Sequence, residues 1–234
     1  MMIISTRLLS LLLLVYLFFS QDIRAQSIFD VTFENDQIGT PPQTAPGNGS
    51  RPTAITGNAN QTFAVQSVSG DVGSSSANGQ VMDVTVPSAG GFQLMDFETT
   101  LNAGIISADT VIVAFDFLAK ANAPHEGFAF MRGYDDTFES IADIAFAFGA
   151  DYFTLGLLDY NPTTGEYLGW LEPSFPANYF EVGTWHRIEQ IIDLNNNVQT
   201  LRVDGQEYGI VAGVSRATGQ GYLGSFMNWG NAYA

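Results

Sequence analysis

The sequence contains no cysteine. This absence excludes a disulfide framework, a zinc site built on thiolates, and a lipid anchor on an N-terminal cysteine. Lysine is nearly absent as well, since Lys120 is the only one in 234 residues. Because it has no disulfides, the folded chain must be held together by its hydrophobic core or by a bound metal.

Basic side chains are scarce throughout. Lys and Arg together number 8, against 24 Asp and Glu, which gives a formal net charge of −16. Without the first 25 residues the balance is 6 basic to 23 acidic residues, a net charge of −17. Such a charge repels phosphate backbones and anionic membranes and favours solubility and cations. We therefore expect no nucleic-acid partner.

Residues 1–25 are predicted to form a secretory signal peptide. Arg7 gives a positive start, and an apolar run of twelve residues, Leu8 to Phe19, follows it. A helix needs roughly 20 apolar residues to cross a bilayer, so this run is too short for a membrane span. The small Ala25 marks the predicted cleavage position, with cleavage near Ser20 as the alternative. We expect a secreted or cell-surface protein whose mature chain has no membrane span.

The remaining residues, 26–234, are predicted to form one all-β domain. Short apolar runs alternate with turn residues, and no window keeps the spacing of three and four residues that a helix requires. The run Thr110–Ala119 (TVIVAFDFLA) is apolar on both faces apart from Asp116, which predicts a central strand. A dozen such strands favour an antiparallel, two-sheet jelly-roll sandwich over a closed barrel. The other predicted strands are Phe29–Phe33, Thr62–Val68, Gln80–Val86, Phe92–Phe97, Gly127–Arg132, Ile141–Phe148, Tyr152–Leu158, Glu166–Leu171, Thr184–Leu194, Val198–Asp204 and Gly221–Met227.

The stretch Gly183–Gln206 (GTWHRIEQIIDLNNNVQTLRVDGQ) predicts a β-hairpin followed by a second reversal. Its Asn-rich connection and its Asp-Gly pair are turn signals beside two alternating runs. This stretch resembles the late hairpin of laminin-G-like jelly rolls in the concanavalin A-like lectin/glucanase superfamily. The opening Phe29–Pro42 (FDVTFENDQIGTPP) resembles the first strand of such secreted modules. The resemblance implies the concanavalin A-like fold, which hosts lectins, hydrolases, lyases and adhesive modules and therefore selects no activity.

The end of the sequence carries no pattern of its own. Trp229–Ala234 (WGNAYA) is polar and aromatic and does not predict a terminal strand. We therefore expect a truncated C-terminus, with an edge strand or a surface-sorting signal missing.

Aromatic residues among polar ones point to carbohydrate, because sugar rings stack on exposed aromatic faces beside groups that bond the hydroxyls. The segment Asp159–Tyr179 is rich in both kinds of residue. We predict a carbohydrate-binding surface from the residues Tyr134, Tyr160, Tyr167, Trp170 and Tyr179. The alternative is that these rings pack on a sheet face. The acidic charge favours a neutral polysaccharide or cell-surface glycan over uronates or sulfated polymers, unless calcium bridges the charge.

Oxygen ligands suited to calcium are abundant. Glu34 and Asp36 lie at the end of the first predicted strand, where the resemblance to jelly-roll carbohydrate modules implies a structural calcium ion. For these two residues, a calcium site and an ordinary strand end both stay open. The oxygen-rich stretches at 135–139 and 193–197 are further candidates, and turn chemistry also explains the second.

Catalysis has weaker support in the sequence. Glycoside hydrolysis needs two carboxyl groups across a cleft, and Glu189 with Asp193 are the nearest pair on one strand face. Tyr152–Asn161 resembles the tyrosine-bearing strand of polysaccharide lyases with this fold, but the other motifs of those lyases are missing. His186 is expected to pack or to form a hydrogen bond rather than to act as a base.

Three functions follow from these patterns. The first is a secreted carbohydrate-binding or adhesive module without catalytic activity, either with a stabilising calcium ion or with no cofactor. The second is an extracellular polysaccharide-active enzyme, either a glycoside hydrolase or a polysaccharide lyase. The third is a structural surface domain that has no ligand.

Overall fold

The computed structural model describes residues 31, 33–45, 51–57, 62–67, 79–85, 91–98, 109–118, 127–135, 137, 139–149, 153–181, 183–215 and 224–231. Within these ranges the chain is all-β, with thirteen strands. Nothing in the same ranges forms a helix that could cross a membrane. The strands are β1 (Ala54–Gly57), β2 (Thr62–Ser67), β3 (Gln80–Thr85), β4 (Gly91–Glu98), β5 (Thr110–Leu118), β6 (Gly127–Tyr134), β7 (Ser140–Phe148), β8 (Phe153–Tyr160), β9 (Tyr167–Leu171), β10 (Trp185–Asp193), β11 (Val198–Val203), β12 (Gln206–Gly213) and β13 (Gly224–Asn231).

The strands pair into two main sheets that pack face to face, which confirms the predicted β-sandwich. The larger sheet has seven strands in the order β1-β4-β13-β6-β7-β8-β9, and the smaller has four in the order β12-β11-β10-β5. A separate two-stranded ribbon joins β2 to β3. Neighbouring strands run antiparallel in all three sheets.

The main core lies between the two large sheets. Every second residue of β10 and β11 is buried, so Ile188 and Leu201 face the larger sheet. Phe146 on β7 and Leu157 on β8 meet them from the other side. Fully burying one such side chain stabilises the fold by about 1.5–3 kcal/mol, so this contact holds the sandwich together.

The ends of β12 and β8 approach each other closely where the sheets meet. The Gly213 amide donates a hydrogen bond of 2.6 Å to Asp159 Oδ1. A methyl group built at Gly213 would overlap the carbonyl oxygen of Tyr160. Position 213 therefore accepts only glycine without rearrangement, and the contact fixes the end of β8 against the smaller sheet.

The predicted hairpin and second reversal are confirmed. β10 and β11 pair from Ile188 opposite Val203 to the turn end of the hairpin. Asp204 and Gly205 then adopt φ angles of 52° and 78°, the two positive values that a type I′ turn requires. Asp and Gly reach these angles at low cost, so the turn follows from the sequence.

Two predicted strands differ from the structure. Val31 and Phe33 lie outside any strand, and Phe29 is not among the described residues. The run Thr110–Ala119, predicted to be central, supplies β5, which lies at one end of the four-stranded sheet. The strand that is buried on both faces is instead β7. Alternation identifies residues that can face a core, but it does not tell which neighbours a strand finds.

The C-terminal strand also differs from the prediction. β13 runs to Asn231 and pairs with β4 on one side and β6 on the other, so Trp229 belongs to a central strand. The truncated C-terminus remains a prediction. The signal peptide does as well, because residues 1–25 lie outside the described part of the chain.

Candidate functional site

The larger sheet has an outer face on the side opposite the core, and the residues of β7 and of the middle of β8 on this face are also buried. Leu157 of β8 packs in the core, so alternation along the strand places Gly156, Leu158 and Tyr160 on the outer face. Asp143 stands beside them on β7, because its neighbour Ile144 is the core residue opposite Leu157.

Cross-strand pairing extends this outer face over four strands. Arg132 on β6 is opposite Asp143, and Trp170 and Tyr167 on β9 are opposite Leu158 and Tyr160 of β8. We call this surface the site face and define it by five residues. They are Arg132, Asp143, Tyr160, Tyr167 and Trp170.

Asp143 is the centre of the site face, and its side chain has no exposed surface. Its Oδ1 atom accepts a hydrogen bond of 2.7 Å from the Ser140 hydroxyl. Its Oδ2 atom accepts one from the Tyr160 hydroxyl and lies 3.7 Å from Arg132 Nε. A buried carboxyl is stable only with such partners, so these four side chains form one unit.

The environment shifts the pKa of both titratable groups in this unit. Burial raises the pKa of Asp143 above its ordinary value, while the Arg132 charge and the bonds from Tyr160 and Ser140 offset part of the rise. Burial also raises the pKa of Tyr160, and the adjacent Asp143 carboxyl raises it further. Tyr160 is therefore a neutral hydrogen-bond donor at physiological pH.

The Trp170 indole approaches the backbone of β8 closely at Gly156, which has no side chain. A methyl group built at Gly156 would overlap the Trp170 indole at Nε1. The Thr154 hydroxyl donates a bond of 2.7 Å to Glu172 Oε1 just beyond the indole. Trp170 is half-buried, so packing accounts for part of its ring.

Tyr167 is the most accessible aromatic residue of the site face, with 54% of its surface exposed. Its ring meets the Tyr160 ring at a centroid distance of 6.0 Å and an angle of 62°. Tyr160 is half-buried and held through its hydroxyl. The exposed ring therefore rests against a fixed one.

Two predicted binding residues lie elsewhere. Tyr134 is only 3% exposed, so its ring offers no free face to a sugar. Tyr179 stacks on Phe175, with ring centroids 5.4 Å apart, and its hydroxyl donates a 2.7 Å bond to Asp204 Oδ2. The structure thus brings together three of the five predicted aromatic residues, Tyr160, Tyr167 and Trp170.

Tyr179 belongs to an Asp204 cluster, which consists of Tyr179, His186 and Asp204. His186 Nδ1 lies 2.8 Å from Asp204 Oδ2, and the Arg187 amide donates a 2.8 Å bond to the other carboxylate oxygen. Burial raises the Asp204 pKa, but the bonds from His186, Tyr179 and the Arg187 amide outweigh burial and lower it. Packing and hydrogen bonding are thus the observed role of His186, as predicted.

The smaller sheet has an outer face of a different kind, which we call the ladder face. Arg202 pairs with Glu189 at 3.0 Å and with Glu207 at 3.1 Å. Arg187 pairs with Asp116 at 3.3 Å. Each pair joins residues directly opposite on neighbouring strands. Surface ion pairs of this kind contribute little to stability.

The candidate carboxyl pair Glu189 and Asp193 has a structural explanation. Glu189 is bonded to Arg202. Asp193 accepts bonds of 3.0 Å from the amides of Asn195 and Asn196 at the hairpin turn, and these bonds lower its pKa. N–H groups directed at Asp193 cap the turn and compete with a cation for the same oxygen.

The predicted calcium ligands Glu34 and Asp36 precede β1 in the chain. Glu34 is half-buried, and Asp36 is buried and forms an ion pair with Arg51. Asp135 uses its Oδ1 atom to accept bonds from Thr137. Across the described ranges, no group of three or more His, Asp and Glu residues could hold a metal ion. Calcium at Glu34 and Asp36 stays a prediction, and Asp36 has a guanidinium as its partner.

Sequence reasoning did not single out Arg132, Ser140 or Asp143. The usable signal was Asp143, the only charged residue in the strand Ser140–Phe148 (SIADIAFAF). A charge inside such an apolar strand is buried only where partners meet it. Ser140 lies on the same strand, but Arg132 and Tyr160 come from the neighbouring strands β6 and β8, so the pairing had to be known first.

No family model and no curated protein matches the sequence. Among solved structures the chain is similar to lectin II from Ulex europaeus, at 14% identity and a TM-score of 0.42, over 78% of this chain and 92% of the lectin. It is also similar to a sialidase at 9% identity and a TM-score of 0.45, over 76% of this chain and 13% of that protein. A third similar structure is the CBM2 module of the evolved Dit protein of Lactobacillus casei BL23 phage J-1. That likeness has 14% identity and a TM-score of 0.38 over 78% of this chain and 93% of the module. At these scores the fold assignment rests on the strand pairing itself.

Proposed function

We propose that the protein is a secreted carbohydrate-binding module and that the site face is its binding surface. The observation that carries this proposal is the pair Tyr167 and Tyr160. One ring is more than half exposed, and the other is anchored through its hydroxyl to the buried Asp143 carboxyl. Secretion rests on the signal peptide predicted at residues 1–25.

A fixed aromatic platform suits a sugar ring for two reasons. An exposed aromatic face covers the apolar C–H face of a pyranose, while polar groups at its edge bond the hydroxyls. A ring that is already immobilised loses little freedom when the ligand binds. Tyr160 is immobilised by Asp143, and Trp170 by its seat over Gly156.

The charges around the platform favour a neutral glycan. Glu166 and Glu172 are exposed at the two ends of β9. Both would repel a uronate or a sulfate, in agreement with the net charge of the whole chain. A calcium ion bridging a charged ligand is the route by which an anionic glycan would bind.

We propose binding without catalysis. Asp143 is fully buried and both of its oxygens are occupied by donors, so it has no free oxygen to attack or protonate a glycosidic bond. Glu172 accepts a bond from Thr154. An enzyme of the hydrolase type needs two carboxyl groups about 5–10 Å apart across the sugar, and the described site face offers Asp143 alone.

Affinity electrophoresis of the mature chain tests the proposal. Gels containing neutral β-glucan, galactan or mannan, or the acidic polygalacturonate, are run with calcium and then with chelator. We expect retardation by a neutral polymer, at least a tenfold loss of affinity in Tyr167→Ala, and no loss in Val211→Ala. Val211 is the matched control because it is an equally exposed large apolar residue, on β12.

The other outcomes separate the alternatives. New reducing ends or unsaturated products in the same mixtures would make the protein an enzyme. Retardation that chelator abolishes would support the predicted calcium ion. A chain that no polymer retards would be the structural surface domain.

A further inference from the structure

We propose that Glu172 is a specificity-determining residue next to the site face, where its carboxylate accepts hydrogen bonds from sugar hydroxyls, and that Thr154 is its positioning residue. The proposal rests on the proposed function and adds the chemistry by which a neutral glycan is recognised. Neither residue belongs to the aromatic platform.

Alternation along the two strands puts both residues on the outer side of the larger sheet. Thr154 follows Phe153 on β8, and Glu172 follows Leu171 at the end of β9. Phe153 and Leu171 pack against the hydrophobic core, so the next residue in each case points to the other side. The hydrogen bond between Thr154 and Glu172 joins the two strands on that side.

Both residues lie close to the Trp170 indole. Trp170 Nε1 comes so near to Gly156 that a methyl group built there would overlap it. Thr154 lies two residues from Gly156 along β8, and Glu172 lies two residues from Trp170. Two residues of a strand span about 7 Å. A sugar that stacks on the solvent-exposed part of the indole therefore has its hydroxyls within reach of the Glu172 carboxylate.

The Glu172 carboxylate is held in place and keeps capacity for a ligand. Glu172 is exposed, and its Oε1 atom accepts a hydrogen bond of 2.7 Å from the Thr154 hydroxyl. A carboxylate has about four acceptor sites on its two oxygens, so one bond leaves acceptor sites on both. The bond also restricts a long side chain, which reduces the conformational entropy that is lost when a ligand binds.

This chemistry selects hydroxyls. An ionised carboxylate accepts hydrogen bonds and donates none, and bonds to it are roughly twice as strong as those between neutral groups. Two adjacent sugar hydroxyls can donate to its two oxygens. A uronate carboxylate has no proton to donate and is repelled by the like charge. The ligand class is therefore a neutral glycan with two adjacent free hydroxyls beside the stacked ring.

Two variants that remove a charge test the contact. Glu172→Gln keeps the length of the side chain and one acceptor oxygen. Glu166→Gln is the matched control, because it removes the same charge from an exposed residue at the other end of β9. In affinity electrophoresis with the neutral polymer that retards the wild type, we expect Glu172→Gln to lose about fivefold or more in affinity. Glu166→Gln should change affinity by less than about twofold.

Two further variants test the positioning role without changing the charge. Thr154→Val removes the hydroxyl at nearly constant shape, whereas Thr154→Ser keeps a hydroxyl. We expect Thr154→Val to lower affinity about two- to threefold, because the freed Glu172 side chain must be ordered by the ligand, and Thr154→Ser to bind as the wild type does. The bond is exposed, so urea unfolding should be nearly the same in all variants. A purely structural role would change stability and affinity together.

Several outcomes would overturn the proposal. Wild-type affinity in Glu172→Gln would exclude the contact. Equal losses in Glu172→Gln and Glu166→Gln would do so as well, because a general effect of charge would then explain both. Equal affinities of Thr154→Val and Thr154→Ser would overturn the role of Thr154. Failure of the proposed function looks different, because the wild-type chain would then bind no polymer at all.

Discussion

Both outer faces of the sandwich carry charged residues, but the charged side chains are exposed to solvent on one face and include a buried carboxyl on the other. On the ladder face, Arg202 bridges Glu189 and Glu207 in contact with solvent. On the site face, one carboxyl, Asp143, is buried and receives two hydroxyls beside a guanidinium. A solvated ion pair contributes little to the free energy of unfolding, so its loss has a small effect. A buried charge is stable only with partners, so the side chains around Asp143 are held in one arrangement.

The largest expected difference between the faces is in stability. Asp143→Ala leaves the Tyr160 and Ser140 hydroxyls and the Arg132 guanidinium without their shared acceptor. We expect the free energy of unfolding to fall by about 2–3 kcal/mol, somewhat less than for a fully buried ion pair because Arg132 is partly exposed. Glu189→Ala should cost less than about 1 kcal/mol. Urea unfolding of both variants measures this, and equal losses would remove the distinction between the faces.

The site face should also tolerate an added methyl group less well than the ladder face. Gly156→Ala forces a methyl group into the space that the Trp170 indole fills, and such overpacking costs about 1–3 kcal/mol. Ala114→Val on the exposed side of β5 should change stability by less than about 0.5 kcal/mol. If Trp170 is the obstacle, the double variant Gly156→Ala with Trp170→Ala will lose less than the sum of the single losses. Additive losses would place the obstruction elsewhere.

Added salt should change the stability loss of a variant on the ladder face but not that of a variant at Asp143. In 1 M NaCl the Debye length falls to about 3 Å, so the small stability loss of Glu189→Ala should vanish. The loss in Asp143→Ala should persist, because solvent ions do not reach a fully buried carboxyl. Unfolding free energies at low and high salt give the result. If the stability loss of Asp143→Ala depends on salt, solvent ions reach the Asp143 carboxyl.

The smallest expected effect is the opposite pH response of Asp143 and Asp204. The folded-state pKa of Asp204 is lowered from 3.8, so its contribution is present above about pH 4 and is lost as the pH falls through the folded value. The folded-state pKa of Asp143 is raised from 3.8, so its contribution declines as the pH rises above about 4.

The free energies of unfolding of Asp204→Asn and Asp143→Asn, compared with the wild type from pH 2.5 to 6.5, give the slope of each carboxyl's stability contribution against pH. Partial exposure of Asp204 keeps its slope shallow. Slopes of the same sign in both comparisons would contradict this assignment.

Local chemistry explains the parts of the fold that the sequence predicted well. The Asp204 and Gly205 turn needs positive φ angles that only a few residues adopt easily, and the flanking runs alternate strictly. Nothing outside this stretch is needed to predict it. The same is true of Glu189 and Asp193, which lie on one strand face and have local or directly opposite partners.

Partners distant in the sequence explain the parts that it predicted poorly. Thr110–Ala119 has the composition of a central strand, but its place in the sheet order is decided by pairing with β10, some 70 residues later. Tyr134 and Tyr167 are the same residue type, yet one is buried and the other exposed, because one lies on an inner strand and the other on β9 at the end of the sheet order. No local pattern distinguishes these positions.

The contact between Gly213 and the end of β8 bears on how the site could be redesigned. Arg132 reaches the site face from β6, and Tyr167 and Trp170 reach it from β9. If the proposed carbohydrate binding is correct, a library that varies these three positions would search for new sugar preferences. Position 213 is far away in sequence and belongs to the opposite sheet, yet it has to stay glycine, because any larger residue would push on the Tyr160 backbone. Any library built on the site face would therefore keep Gly213 unchanged, although it lies on the other sheet.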